Sequence, residues 1–309
     1  MLDWLSNYSS LEQMAIAAVI VFLTVVIAEI VDYSRILTSL ESANPAAKIQ
    51  YGYDSHNGPV CWKLNFPESK GKQQSPIDIL TKIVACVPAE TQKPLKFSME
   101  YYGIPTSMVL VNDGHCLNLY GCWPSNRYPK ISGGSLHDTY RFDSIRFRWG
   151  PSDDEGSEHT IDSIRFAMEI QAMHIKRDKA CFDLTQAAQS HSVMGISYLF
   201  QVTPIDNPYL EPILDSLKDV QEPNSTCPIE PFPLSWLTPP FSSKYFMYLG
   251  SLTFPPCSEN VEWLVLSEPL SISSRQLRKF RKLCSVDGQM ICNTRPVQEL
   301  NNRCVCFYD

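Results

Sequence analysis

Between Ser144 and Trp149 the chain alternates without a break: Ile145, Phe147 and Trp149 fall on one face of an extended segment, Arg146 and Arg148 on the other. A period of two marks a strand, here with one apolar face and one face carrying two cations. The apolar face needs a packed layer beneath it. The cationic face needs carboxylates or water, because burying an unpaired guanidinium is costly.

The flanking sequence supplies more strands. Met108–Val111 runs into the turn Asn112-Asp113-Gly114, and His115–Tyr120 folds back from it. Phe166–Ile175 reads as a second long strand with Glu169, Gln171 and Met173 on one face, followed by Ser192–Val202, Lys244–Leu249 and Val261–Leu266. Helical periodicity is confined to Tyr209–Val220 and Ser273–Leu283. Many short strands and few helices give an α+β, mostly β, domain around a large, mainly antiparallel sheet. Of the 309 residues 44% are hydrophobic and 19% charged, which excludes disorder. A net charge of −7 argues against a nucleic-acid partner.

Residues 14–31 contain one charge, Glu29, near their end. As a helix they would span roughly 27 Å, enough to cross a bilayer. A single-pass membrane anchor is the favoured reading. A cleaved signal segment ending at Val26-Ile27-Ala28 and a buried helix are the alternatives; the lack of Lys or Arg in residues 1–13 argues against cleavage. The organisation expected is a tail (1–13), a transmembrane helix or signal segment (14–31), a linker (32–48) and one domain (49–309). Asp3 and Glu12 precede the apolar run, whereas Arg35 and Lys48 follow it. That asymmetry weakly favours the domain on the cytosolic or matrix side, with an extracellular or secreted domain as the alternative. Sequons at Asn7 and Asn224 lie on both sides of the run and do not decide between them.

The domain opens with Tyr51-Gly52-Tyr53, Gly58-Pro59, Trp62, Phe66-Pro67 and Gln74-Ser75-Pro76-Ile77-Asp78. It continues through Asn112-Asp113-Gly114-His115, Arg146-Phe147-Arg148-Trp149-Gly150, Gly156-Ser157-Glu158-His159-Thr160, Ser251-Leu252-Thr253, Pro255-Pro256-Cys257, Trp263 and Arg295-Pro296. Taken in order, these blocks resemble the α-class carbonic anhydrases from about residue 51 to 307. The resemblance implies a single domain with an about ten-stranded twisted central sheet and a cavity opening on one side. It also implies hydration of carbon dioxide by a zinc ion on three neutral histidines, the metal lowering the pKa of its bound water to about 7.

At the three positions where the family holds those histidines this chain has Arg146, Arg148 and Gln171. Arginine stays cationic and has no lone pair for a metal, and an amide oxygen is a poor zinc ligand. The expectation is therefore a carbonic anhydrase-related protein without hydratase activity and without zinc or another cofactor. It would serve as a membrane-tethered binding or structural module, possibly a subunit of a membrane assembly with an unidentified protein partner. The rival reading is an active dehydratase with an unconventional metal site.

The resemblance further marks His115 (the family's proton-shuttle position), Asn118, Glu158, Glu169, Thr253 and Trp263 as retained cavity residues. In the family the glutamate at 158 takes the hydroxyl proton of the threonine at 253, and the glutamate at 169 supports the third histidine. Two arginines in place of a divalent ion lead to the expectation that at least one pairs with Glu158 or Glu169; the network then merely fills and satisfies the cavity or, as the alternative, leaves one arginine partly free to bind a small anion such as bicarbonate or phosphate. Phe254 is expected to narrow the cavity floor.

Of eleven cysteines, Cys257 has lost the family's disulfide partner, since Ser69 stands at the other position. Cys86 with Cys306, and Cys284 with Cys292, remain as alternative pairs in an oxidising compartment. The stretch Glu222–Pro240 and the basic segment with Arg275, Arg278, Lys279, Arg281 and Lys282 are candidate contact surfaces or ordinary solvated loops and charges.

Overall fold

A computed structural model describes residues 14–16, 18–19, 51–124, 127–176 and 184–309. The chain divides into two compact units, Met1–Pro45 and Ala46–Asp309. In the first, residues 14–16 and 18–19 are helical, and the remainder of the proposed anchor lies outside the described residues. Among the described residues no helix is long and apolar enough to cross a membrane.

The second unit is built on one large mixed sheet. Ten of its strands form a continuous path: β1 (Ala85–Cys86), β2 (Ser107–Asn112), β3 (Leu117–Cys122), β4 (Tyr140–Trp149), β5 (Met168–Lys176), β6 (Val193–Val202), β7 (Ser225–Ile229), β8 (Tyr245–Ser251), β9 (Glu259–Leu266) and β10 (Cys306–Tyr308). Their order in space is β7-β2-β3-β4-β5-β6-β9-β8-β10-β1. Three further strands join the same sheet: Leu95–Phe97, Lys130–Gly133 and Leu270–Ile272. Most neighbours are antiparallel, but β6 runs parallel to β9 and to Leu270–Ile272, and β10 runs parallel to β1. The sheet is thus larger and more mixed than the alternation alone implied.

Two apolar layers cover the sheet. Ile145, Phe147 and Trp149 of β4 join Met168, Ile170 and Ala172 of β5 and Met194, Ile196 and Tyr198 of β6 in the main core. A second cluster gathers Met173, Val193, Leu199, Tyr248, Leu252, Phe254, Val261 and Trp263. The strict period of β4 therefore sends Arg146 and Arg148 away from the main core. On β5 a bulge between Met173 and His174 interrupts the period. Buried His174 stands 2.5 Å from the Tyr101 hydroxyl and 3.0 Å from the Ala172 carbonyl, a structural role for this histidine.

The β2–β3 hairpin turns at Gly114, whose φ of +82° places it in the left-handed region that favours glycine. Asn112 Oδ1 accepts from Gly114 N at 3.0 Å, while Asp113 Oδ1 accepts from His115 N at 2.9 Å and Cys116 N at 2.7 Å. These side-chain caps fix the Asp113 carboxylate at the end of the hairpin. The helix Ser274–Phe280 is started by a capping box: Ser273 Oγ accepts from Gln276 N at 3.1 Å and Gln276 Oε1 accepts from Ser273 N at 3.2 Å.

Candidate functional site

Register brings Arg146, Arg148 and Gln171 together. Gln171 of β5 lies opposite Arg146 of β4, and Glu169 lies opposite Arg148. Asn118 of β3 faces Arg146 from the other side. All of these side chains are buried; Arg148, Glu158, Glu169, Gln171 and Thr253 are 0% exposed.

Arg148 is held from four directions. Its Nη1 donates to the Tyr53 hydroxyl at 2.8 Å and to the Asn293 carbonyl at 3.1 Å, and its Nε donates to Gln171 Oε1 at 3.4 Å. The same Nε stands 3.5 Å from Glu158 Oε2, so the expected arginine–glutamate pair forms here. Burial is the largest single influence and opposes the charge on Arg148, but Glu158 together with Tyr53, Cys116 and Tyr51 outweighs it and holds the guanidinium pKa well above its ordinary value.

Arg146 pairs elsewhere. Its Nη2 lies 3.7 Å from Asp113 Oδ2, an oxygen that also accepts from Asn118 Nδ2 at 2.9 Å. The guanidinium sits 3.8 Å above the Phe254 ring, and that of Arg148 lies 5.7 Å from the same ring. Phe254, itself buried, is thus a platform for both cations. Arg146 Nε and Arg148 Nη2 are buried polar atoms that meet no acceptor among the described residues.

Gln171 is clamped by acids. Its Nε2 donates to Glu158 Oε2 at 2.6 Å and to Glu169 Oε1 at 2.9 Å, while its Oε1 accepts from Thr253 Oγ1 at 3.3 Å. The Thr253 hydroxyl is therefore directed at the glutamine rather than at Glu158, a departure from the family arrangement. Glu158 keeps its other oxygen for the backbone N–H of Arg295, at 2.8 Å.

Glu169 accepts from the backbone N–H groups of Glu158 and His159, each at 2.8 Å, and stands 2.8 Å from His159 Nδ1. Burial pushes its pKa up, but the His159 imidazole and the hydrogen bonds of His159 and Gln171 outweigh that and hold it below the usual carboxylate range. The chain of contacts continues from His159 Nε2 to the Tyr248 hydroxyl at 2.7 Å and on to Ser75 Oγ at 2.7 Å. Trp263 packs behind this chain, 5.0 Å from the His159 ring, with its Nε1 donating to the Ser251 carbonyl at 2.9 Å.

His115 stacks on Tyr51 with ring centroids 4.0 Å apart. Burial lowers its pKa; nearby Asp113 opposes the shift and Arg146 adds to it. With Tyr53, Gly52, Asp287 and Cys292 it lines a depression of about 260 Å³. Tyr53 forms a wall of this depression and caps Arg148 through its hydroxyl.

Asp113, Tyr53 and Asn293 are the partners that sequence reasoning did not single out. Asp113 and Tyr53 lay inside quoted motif blocks; nothing in the sequence marked Asn293. The basic segment is engaged locally: Arg275 pairs with Asp206 and Glu211, Lys279 approaches Glu211 and Asp215, and Arg281 pairs with Asp153. Within Glu222–Pro240, Phe232, Leu234 and Leu237 belong to the main core.

The sequence that builds this domain has clear relatives. The model of the eukaryotic-type carbonic anhydrase family matches residues 57–309. Carbonic anhydrase 1 of Mus musculus is 35% identical over 266 residues, covering 84% of this chain and 98% of that protein. The chain belongs to the eukaryotic-type carbonic anhydrase family.

Proposed function

We propose that this chain is a non-catalytic member of its family, a binding or structural module rather than a carbon dioxide hydratase. The observation that carries this reading is the Gln171 amide, with its nitrogen between Glu158 and Glu169 and its oxygen facing Thr253 and Arg148. The family's zinc requires side chains with a lone pair to donate. Two guanidinium groups supply none, and the single carboxamide oxygen is already an acceptor. The donor set does not fit the ion, and no reaction step is assigned through it.

The 14–31 segment, read as a single-pass anchor, tethers the domain to a membrane, on the cytosolic or matrix side by the distribution of Arg35 and Lys48. There the domain acts as a subunit of a protein assembly. A small oxyanion is the ligand that the cleft would take, because Arg146 Nε and Arg148 Nη2 are buried N–H donors still lacking an acceptor.

Stopped-flow carbon dioxide hydration with added zinc, together with elemental analysis of the purified chain, tests the first part. A rate indistinguishable from buffer and no retained zinc are expected; stoichiometric zinc with hydration establishes the enzyme reading instead. Calorimetric titration with bicarbonate tests the ligand. A saturable heat that disappears in Arg146→Ala is expected, and a wild-type titration without saturable heat removes the anion.

A further inference from the structure

The sulfurs of Cys304 and Cys306 stand 3.8 Å apart. Cys304 is exposed and Cys306 half-buried. Between them Val305 is buried in the second apolar cluster, and its carbonyl accepts from Ala85 N at 2.9 Å. Upstream, Arg303 Nε donates to the Leu300 carbonyl at 2.9 Å and Nη1 to the Leu249 carbonyl at 3.1 Å. Downstream, β10 pairs with both β8 and β1. The backbone is thus anchored on both sides of the pair, and inward-facing Val305 leaves its two neighbours projecting from the opposite side.

Cys86, a candidate partner of Cys306 in an oxidising compartment, does lie on the adjacent strand, but the register excludes it. Cys306 is level with Ala85, and Cys86 is level with Phe307. Side chains level on paired strands share a face, so Cys86 and Cys306 point to opposite faces of the sheet. The sulfur that faces Cys306 is that of Cys304.

We propose that Cys304 and Cys306 are a reversible dithiol–disulfide site, closed by exchange with a low-molecular-weight disulfide. The Cys304 thiolate attacks one sulfur of the oxidant, breaking its S–S bond and releasing one thiol. Cys306 then loses its proton and attacks the mixed disulfide at Cys304, releasing the second thiol. Two protein thiols are oxidised and one disulfide is reduced, so the exchange balances. Burial, then the hydrogen bond with Cys304, raises the Cys306 thiol pKa, which suits exposed Cys304 as the entering group. Closure shortens the sulfur separation to about 2.05 Å.

The test is oxidised glutathione added to the reduced, full-length chain, followed by intact-mass and tandem mass spectrometry. The expected product has lost two hydrogens, and its backbone fragments between Cys304 and Cys306 appear only after reduction. Cys306→Ser is expected to stop at a persistent glutathione adduct on Cys304, and Cys304→Ser to form no internal link at Cys306. A wild-type chain that keeps the adduct on Cys304, links Cys304 to another cysteine, or stays fully reduced overturns the proposal. Near-native circular dichroism of both serine variants separates loss of the link from loss of the fold.

Discussion

Arg148 and Glu158 face each other across 3.5 Å with neither side chain reaching solvent. The partners are not equivalent. Glu158 also accepts from Gln171 and from the backbone of Arg295, whereas among the described residues Arg148 has no other carboxylate in salt-bridge contact. Glu158→Ala is therefore expected to cost about 3–5 kcal/mol, the range for stranding a buried charge. Arg148→Met, which leaves a carboxylate still hydrogen-bonded, is expected to cost about 1–2 kcal/mol. Urea unfolding of both variants measures the order; equal losses would show that Glu158 depends on Arg148 as much as the reverse.

Arg146, Arg148 and Gln171 stand where the resemblance puts three histidines, and polar groups surround Gln171. Glu169 faces Gln171, and Thr253 reaches the same side chain. The triple variant Arg146→His, Arg148→His, Gln171→His is expected to retain roughly one zinc per chain after dialysis, since three neutral imidazoles then converge. Elemental analysis reads this directly. A folded triple variant that binds no zinc would mean that Phe254 and the altered Thr253 contact have closed the ion's place.

Acid sensitivity follows from His174. Burial lowers its pKa to about 3, against about 6.5 in an unfolded chain. The unfolded state binds the proton first as pH falls, so this contribution is fully present above about 6.5 and is lost progressively down to the folded value. Between pH 7.5 and pH 5 the loss from this one group is about 2 kcal/mol. Denaturant unfolding at the two values should show it, and His174→Gln should flatten that part of the pH dependence while lowering stability at neutral pH. An unchanged slope in the variant would assign the acid sensitivity to other groups.

Gly114 holds the turn that delivers Asp113 to Arg146. A Cβ at this residue would meet Val286 Cγ1 at 3.0 Å, and its backbone is left-handed. Gly114→Ala is expected to destabilise the domain by about 1–2 kcal/mol. Urea midpoints of Gly114→Ala and Asp113→Ala, alone and combined, show whether the strain acts through the aspartate: additive losses would separate the two effects.

The cationic face of β4 was legible in the sequence because period-two alternation survives any tertiary context that keeps the strand. The Arg148–Glu158 pair followed from charge balance once both residues were placed near the cleft. The Arg146–Asp113 pair did not, since it depends on a turn whose side-chain caps aim the carboxylate sideways. Tyr53 and Asn293 reach Arg148 from 95 and 145 positions away, and no local pattern encodes such meetings. Likewise, adjacency of Cys86 and Cys306 was readable, but the one-residue offset that separates their side chains was not.

The orientation of a single carboxamide has a wider effect. With two acidic groups behind it, Gln171 cannot turn around without setting its oxygen against both, so its dipole is locked. The buried network around it consequently has a fixed polarity: its oxygen faces the Thr253 hydroxyl and the Arg148 guanidinium, and its nitrogen faces Glu158 and Glu169. Reversing any one of these partners would set donor against donor or acceptor against acceptor, so the five side chains are tied to a single arrangement.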